Sequence, residues 1–200
     1  MASRKYVVVT AVVIAVIIIG VSVALLTTKH RVTVGDFVAN YLGVSKSLNK
    51  MVVNAPFSSG SRIPNEYTCT GADVSPPLTI SNVPSSAKSL AVIMVDPDAP
   101  RGPFIHWVLY NLRPDTNSIP KALPKVVEVK GLGYQAINDF RRVGYGGPCP
   151  PPGSTHRYVI IVVALNTPPN IKAPITGEEF LDLIKGRVIA YGYTYGVFSR

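Results

Sequence analysis

The alternation of apolar and polar positions divides the chain into three regimes. Residues 6–27 form a nearly continuous run of Val, Ile, Ala and Leu without a single charge. Residues 28–50 are mixed. There Val34, Phe37, Val38, Tyr41 and Leu42 recur at helical spacing, while Gly35 and Gly43 weaken the pattern, so the stretch reads as a partly ordered tether with a short amphipathic helix. From residue 51 onward, short β-branched apolar runs alternate with loops rich in glycine and proline, the pattern of strands joined by turns. Strands are predicted at 51–57, 88–95, 104–112, 126–129, 157–165 and 188–197. Residues 63–81, 113–124 and 167–174 read as loops, and 131–142 carries no clear period. One helix is predicted at 176–185: Thr176 and Glu179 make a capping box, Phe180, Leu183 and Ile184 supply an apolar face, and Gly186 stops it. Strands outnumber helices and do not alternate with them. The expected fold is therefore mainly β, a two-sheet β-sandwich with one or two short helices, preceded by a single N-terminal transmembrane helix. The expected organisation is a basic flank (1–5), an anchor (6–27), a linker (28–50) and a folded domain (51–200).

The apolar segment has 22 residues, which as a helix reach roughly 33 Å, enough for a hydrocarbon core of about 30 Å. A cleaved signal peptide is the rival, because Arg4 and Lys5 precede the run and Ser22-Val23-Ala24 resembles a cleavage site. The run is longer than the apolar region of most signal peptides, which favours an uncleaved single-pass anchor in the cell membrane. Lys29, Arg31, Lys46 and Lys50 nearly balance the basic N-terminus. The shortness of the N-terminal flank suggests N-inside, with the domain extracytoplasmic. Much of the formal charge of +9 sits at this end, since residues 51–200 hold 14 Lys and Arg against 10 Asp and Glu, a net of +4. No basic run there resembles a nucleic-acid footprint, so nucleic acid is not an expected partner.

Candidate chemistry concentrates at strand ends. The loop from Gly144 to Tyr158 holds glycine and proline too densely for helix or strand, and it delivers His156 and Tyr158 to the mouth of an apolar strand. Strict alternation puts Val92, Met94 and Asp96 on one face of their strand. It likewise groups Phe104, His106, Val108 and Tyr110, and His156, Tyr158, Ile160 and Val162. Each residue alone has a bland reading: a satisfied core histidine, an exposed loop histidine, or turn aspartates at Asp96 and Asp98. Together, two aspartates, two histidines and a tyrosine from three segments make an anion hole. In that hole the histidines act as donors and Gly146-Gly147 offers free N–H groups. Catalysis fits less well. No G-x-S-x-G elbow occurs, and Ser154 stands only two residues from His156. A metal site from His106, His156 and Asp96, with or without Cys149, is chemically allowed, but no H-E-x-x-H or paired C-x-x-C supports it, so no metal or cofactor is expected. Cys69 and Cys149 read equally as one bridge or as two buried thiols.

The run Cys69-Thr70-Gly71-Ala72-Asp73-Val74-Ser75-Pro76-Pro77-Leu78, then Asp96-Pro97-Asp98-Ala99-Pro100, then His106-Trp107, then Gly144 to Tyr158 form an ordered set of motifs. In these the chain resembles the phosphatidylethanolamine-binding protein family, also called the Raf kinase inhibitor protein family, in its bacterial and archaeal branch. The resemblance implies a β-sandwich with a small pocket for phosphate, sulfate or a phosphorylated head group, formed by Asp96, Asp98, His106, Gly147, Pro148, His156 and Tyr158. It also implies a cis X-Pro bond at or near Pro97, and a regulatory rather than catalytic role. Eukaryotic members end in an extra helix over the pocket, whereas a strand is predicted at the end of this chain, which argues against phospholipid binding. The expected function is a membrane-tethered, non-enzymatic regulator with an anion pocket that inhibits a serine protease or another enzyme such as a kinase. The alternatives are an enzyme that processes phosphate esters or lipid head groups, and a module that binds phospholipid head groups.

Overall fold

The computed structural model describes residues 32–200; the expected flank and anchor, 1–27, lie outside the described residues. Among the described residues no helix is long and apolar enough to cross a membrane. The compact unit runs from Val34 to Arg200. It therefore begins earlier than the domain start read at residue 51. Helix α1 (Val34–Leu42) is the reason, because Val38, Ala39 and Leu42 are buried. Gly43, which weakens the helical pattern in sequence, ends the helix at φ 65°. Val44 N–H reaches Ala39 O at 2.9 Å in the glycine-terminated motif that satisfies the last carbonyls.

Among the described residues, nine strands form two antiparallel sheets. The smaller joins β1 (Val52–Asn54), β2 (Leu78–Ser81) and β5 (Ser118–Ile119) in the order β1-β2-β5. The larger has the order β6-β7-β4-β3-β8-β9, from β6 (Glu128–Val129), β7 (Gly133–Gln135), β4 (Phe104–Leu112), β3 (Ser89–Asp96), β8 (Thr155–Leu165) and β9 (Val188–Ser199). Leu90, Val92, Met94, Tyr158, Ile160 and Val162 face the smaller sheet, joined by Leu78 and Ile80 from β2. Ala91, Ile93, Val95, Val159, Ile161 and Val163 face the helices, with Val38 and Leu42 from α1 and Phe180 and Ile184 from α2 (Gly177–Ile184). Both faces of the central strands are thus covered, which is why β3 and β8 are apolar throughout rather than alternating. The capping box of α2 forms as read, with Thr176 Oγ1 accepting from Glu179 N–H and Glu179 Oε2 accepting from Thr176 N–H.

Three details depart from the sequence reading. β2, β5 and β7 lie in stretches read as loop or as aperiodic. No cis peptide bond occurs among the described residues, so the cis X-Pro bond implied by the resemblance is absent. Strict alternation also fails in β4. Met94 pairs with Trp107 and Val95 with Ile105, so His106 is the extra residue of a bulge. Trp107 and Leu109 then join one core and Val108 and Tyr110 the other. His106 packs its ring against Tyr158 at 5.1 Å, separated from the Val108 and Tyr110 face to which alternation assigns it.

Strand β9 ends the larger sheet, yet its outer edge is covered. Lys50 and Met51 N–H groups donate to Tyr191 O, Gly60 N–H to Tyr195 O, and Ile63 N–H to Val197 O, while Val197 N–H donates to Ser61 O.

Candidate functional site

Strand ends bring the chemistry together. β3 terminates in Asp96, β4 starts beside it with Phe104 and the bulged His106, and β8 enters through His156 and Tyr158. Between them lies a cavity of about 190 Å³. Asp96, Ala99 and Pro100 line one side, Cys149, Pro150 and Pro151 another, and Phe104, His106, Phe140 and His156 complete it. A larger concavity of about 470 Å³ along Val53 to Ser59 and Tyr193–Thr194 holds no histidine or carboxylate.

Asp96 organises the site. Its Oδ2 accepts from His156 Nδ1 at 2.8 Å and its Oδ1 from the Asp98 N–H at 2.8 Å, with the carboxylate and the imidazole both buried. His156 therefore presents Nε2 as its free ring nitrogen. His106 behaves differently from the donor expected of it. Its Nδ1–H donates to Gly146 O at 2.7 Å, and Gly146 N–H returns a bond to His106 O at 2.9 Å. Burial, above all, holds the His106 pKa below its ordinary value, outweighing that carbonyl and the Asp96 charge. Near neutral pH this favours the uncharged ring, whose Nε2 is then an acceptor.

Tyr158 is fully buried and packs against both imidazoles, edge-on to His106 and at 6.5 Å from His156. It stands behind the cavity lining rather than in it, and among the described residues its hydroxyl makes no hydrogen bond of good geometry, although the Asp96 carboxylate and the Cys149 backbone both act on it. Burial first, and then the Asp96 carboxylate, push its pKa far above the usual phenol range. Buried hydroxyls are nearly always paired, so this one stands out.

The remaining expected residues take supporting positions. Asp98 turns away from the cavity and holds Arg157, accepting from its backbone N–H and Nε at 2.8 Å each and from Nη2 at 2.5 Å. These bonds keep the Asp98 carboxyl below its ordinary range. The Gly146 and Gly147 N–H groups are not free. The first goes to His106 O, and the second donates to Asp73 Oδ1 at 2.6 Å. The glycines serve close approach instead, because a Cβ on Gly147 would lie 2.6 Å from Tyr67 O and one on Gly146 2.6 Å from Phe140 Cδ2. Pro148 accepts the Cys69 N–H at 3.1 Å behind the cavity wall. Cys69 and Cys149 form a disulfide, with their Cα atoms 5.4 Å apart.

Sequence reasoning missed Phe140 and the role of Asp73. Phe140 meets the rings of Phe104 at 4.7 Å and His106 at 5.2 Å, an aromatic wall contributed by the aperiodic stretch 131–142. Asp73 adopts φ 52° within the Cys69–Leu78 motif, and that left-handed turn aims its carboxylate at Gly147 and at Lys125, 2.6 Å away. The motif in which it lies was the available signal.

Comparison with known proteins bears on the fold and the family. Residues 53–199 match the family model for phosphatidylethanolamine-binding protein. A UPF0098 protein of Archaeoglobus fulgidus is 43% identical over 151 residues, 75% of this chain and 51% of that relative, so the chain spans about half the length of that protein. A UPF0098 protein of Pyrococcus abyssi is 42% identical over 74% of this chain and 84% of its own. Among solved structures, a phosphatidylethanolamine-binding protein homolog of Chlamydia trachomatis is 34% identical with a TM-score of 0.68, covering 76% of this chain and 99% of that one. YbcL of Escherichia coli, described as a new member of the mammalian family, has a TM-score of 0.69 at 28% identity over the same shares. With its motifs in order and the family match spanning most of the folded unit, the chain belongs to the phosphatidylethanolamine-binding protein family.

Proposed function

We propose that this chain is a binding protein whose cavity takes a proton-bearing, phosphate-type anion, and that it acts at a membrane surface as an inhibitor of a serine protease or another enzyme. The observation that carries the reading is the pair of imidazoles, His106 and His156, that line the cavity beside the buried Asp96 carboxylate, with the buried Tyr158 hydroxyl behind them and short of a partner. A phosphate oxygen that reached between the two imidazoles would give that hydroxyl an acceptor. The neutral His106 Nε2 would accept from the P–OH of a monoanion, and His156 Nε2 would donate when its ring carries both protons. A fully deprotonated phosphate would instead face the Asp96 charge and the His106 lone pair, so the monoanion is preferred. Among the described residues no serine, threonine or lysine lines the cavity and its one cysteine is bridged, so covalent chemistry would fall to a histidine or to Asp96, whose oxygens already hold His156 and the Asp98 N–H. The apolar segment at 6–27 supports tethering, and the disulfide supports an oxidising, extracytoplasmic side.

Titrating the full chain in detergent with inorganic phosphate, while following the histidine ring resonances, tests the pocket. His106 and His156 move together on one binding curve, more strongly at pH 6 than at pH 8. Rings that stay still at millimolar phosphate sink the proposal. A second reading rests on the buried Asp96–His156 pair, an arrangement that suits a general acid or base. Under it the protein hydrolyses phosphate esters or lipid head groups. Turnover in a phosphomonoester and phosphodiester screen, abolished by His156→Ala, would establish that reading in place of the first.

A further inference from the structure

We infer that the Cys69–Cys149 disulfide is a thiol–disulfide exchange site through which a dithiol controls the pocket; the control half of this inference rests on the anion-binding reading above. The bridge joins two surfaces of different character. Cys69 is exposed on the loop after the 3₁₀ turn Asn65–Tyr67, whereas Cys149 is half-buried and forms part of the cavity wall. A thiolate arriving from solvent therefore meets the Cys69 sulfur first, and Cys149 is the leaving group. Arg200 places its Nη1 3.2 Å from Cys149 Sγ. A guanidinium at that distance stabilises the departing thiolate, and a more stable leaving thiolate speeds exchange.

The wall beyond Cys149 has few other restraints. Pro150, Pro151 and Pro152 have no N–H to donate. Their segment is held at one end by the disulfide and at the other by Gly153 N–H on Arg200 O at 2.7 Å and by Ser154, whose N–H and hydroxyl both donate to Pro151 O. Upstream, Gly146, Gly147 and Pro148 are pinned by hydrogen bonds that survive reduction. Reduction would thus free Cys149 and Pro150, the wall facing His106 and His156, and leave the rest of the loop in place.

The chemistry balances with a dithiol as reductant. Its first thiolate attacks Cys69 Sγ, the Cys69–Cys149 bond breaks, and Cys149 leaves as a thiolate beside Arg200. The second thiol of the reductant then attacks the mixed disulfide, expelling the Cys69 thiolate. Two electrons and two protons pass to the protein as two thiols, and the reductant becomes a disulfide.

Three measurements on the full chain in detergent test this. Brief exposure to the monothiol glutathione, followed by alkylation and peptide mapping, is expected to give the mixed disulfide on Cys69; an adduct on Cys149 would overturn the assigned direction of attack. Dithiothreitol should reduce Arg200→Gln several-fold more slowly than the parent, and an equal rate removes Arg200 from the argument. Reduction should shift the His106 and His156 ring resonances and weaken phosphate binding at least threefold. Unmoved rings, or equal affinities in the two forms, would refute control of the pocket. If phosphate binds neither form, the anion reading alone fails, and the adduct position and ring shifts still decide the exchange site.

Discussion

Replacing Tyr158 by Phe removes one oxygen and isolates the chemistry of the cavity from its architecture. The ring keeps its edge-on contact with His106 and its place in the core between the sheets. Lost is a hydroxyl that no hydrogen bond satisfies. Burying such a group unpaired costs about 1–3 kcal/mol, and its removal leaves only a small void. The ligand-free variant should therefore be more stable than the parent by about 1 kcal/mol, a rise in Tm of roughly 2–4 °C for a folded unit of this size. Bound phosphate reverses the order. The parent hydroxyl then donates to an anion, a bond worth about 1.5–3 kcal/mol, so the variant should bind phosphate on the order of tenfold or more weakly. Thermal unfolding with and without phosphate reads both effects in one experiment, and a ring-resonance titration supplies the affinities. A variant several degrees less stable than the parent without phosphate would mean that the hydroxyl is satisfied in the free protein. An unchanged phosphate affinity would remove Tyr158 from the site. Either result refutes the reasoning.

Gly147→Ala should destabilise the fold by about 2 kcal/mol or more, because the added Cβ meets Tyr67 O and the Thr68 Cα, backbone that cannot swing aside; urea unfolding measures it. The depressed pKa of His106 makes its contribution to stability fully present above the ordinary histidine value of 6.5 and lost as pH falls through the folded-state value. Urea midpoints should decline on acidification from about pH 6.5, and His106→Gln should flatten that part of the decline. Asp98→Asn should lower stability by about 1 kcal/mol through the loosened Arg157 pair, yet change phosphate affinity by less than about twofold, since both Asp98 oxygens are already engaged by Arg157. A tenfold loss of affinity would return Asp98 to the binding set.

Sequence alone made the central sheet legible because its strands are buried on both faces and carry long apolar runs, as in β3 and β8. Helix α2 was legible through its cap, Thr176 and Glu179. The smaller sheet was not. β2 and β5 have four and two residues, too few for a period to emerge from proline-rich surroundings. Helix α1 was half-visible, since Gly43 reads as a breaker until its positive φ identifies it as the stop. At the site, Asp96, His106, His156 and Tyr158 could be named from strand ends, but their roles could not. The bulge at His106 and the carbonyl of Gly146 decide which nitrogen is available, and both are set by pairing between segments distant in sequence. Asp98 and Gly147 were drawn to the candidate site by their motifs, and in the structure they are paired with Arg157 and Asp73.

The covered edge of β9 bears on solubility. This strand has twelve residues, with Tyr191, Tyr193, Tyr195 and Phe198 along it, and an uncovered edge of that length and character is a template for a second chain. Residues 49–63 occupy that template within the molecule. Proteolytic nicking or mutation that frees this segment would thus convert a sheet with a closed edge into a self-pairing one. The first symptom of damage there would be fibre formation or precipitation rather than loss of the pocket, which lies at the end of the sheet.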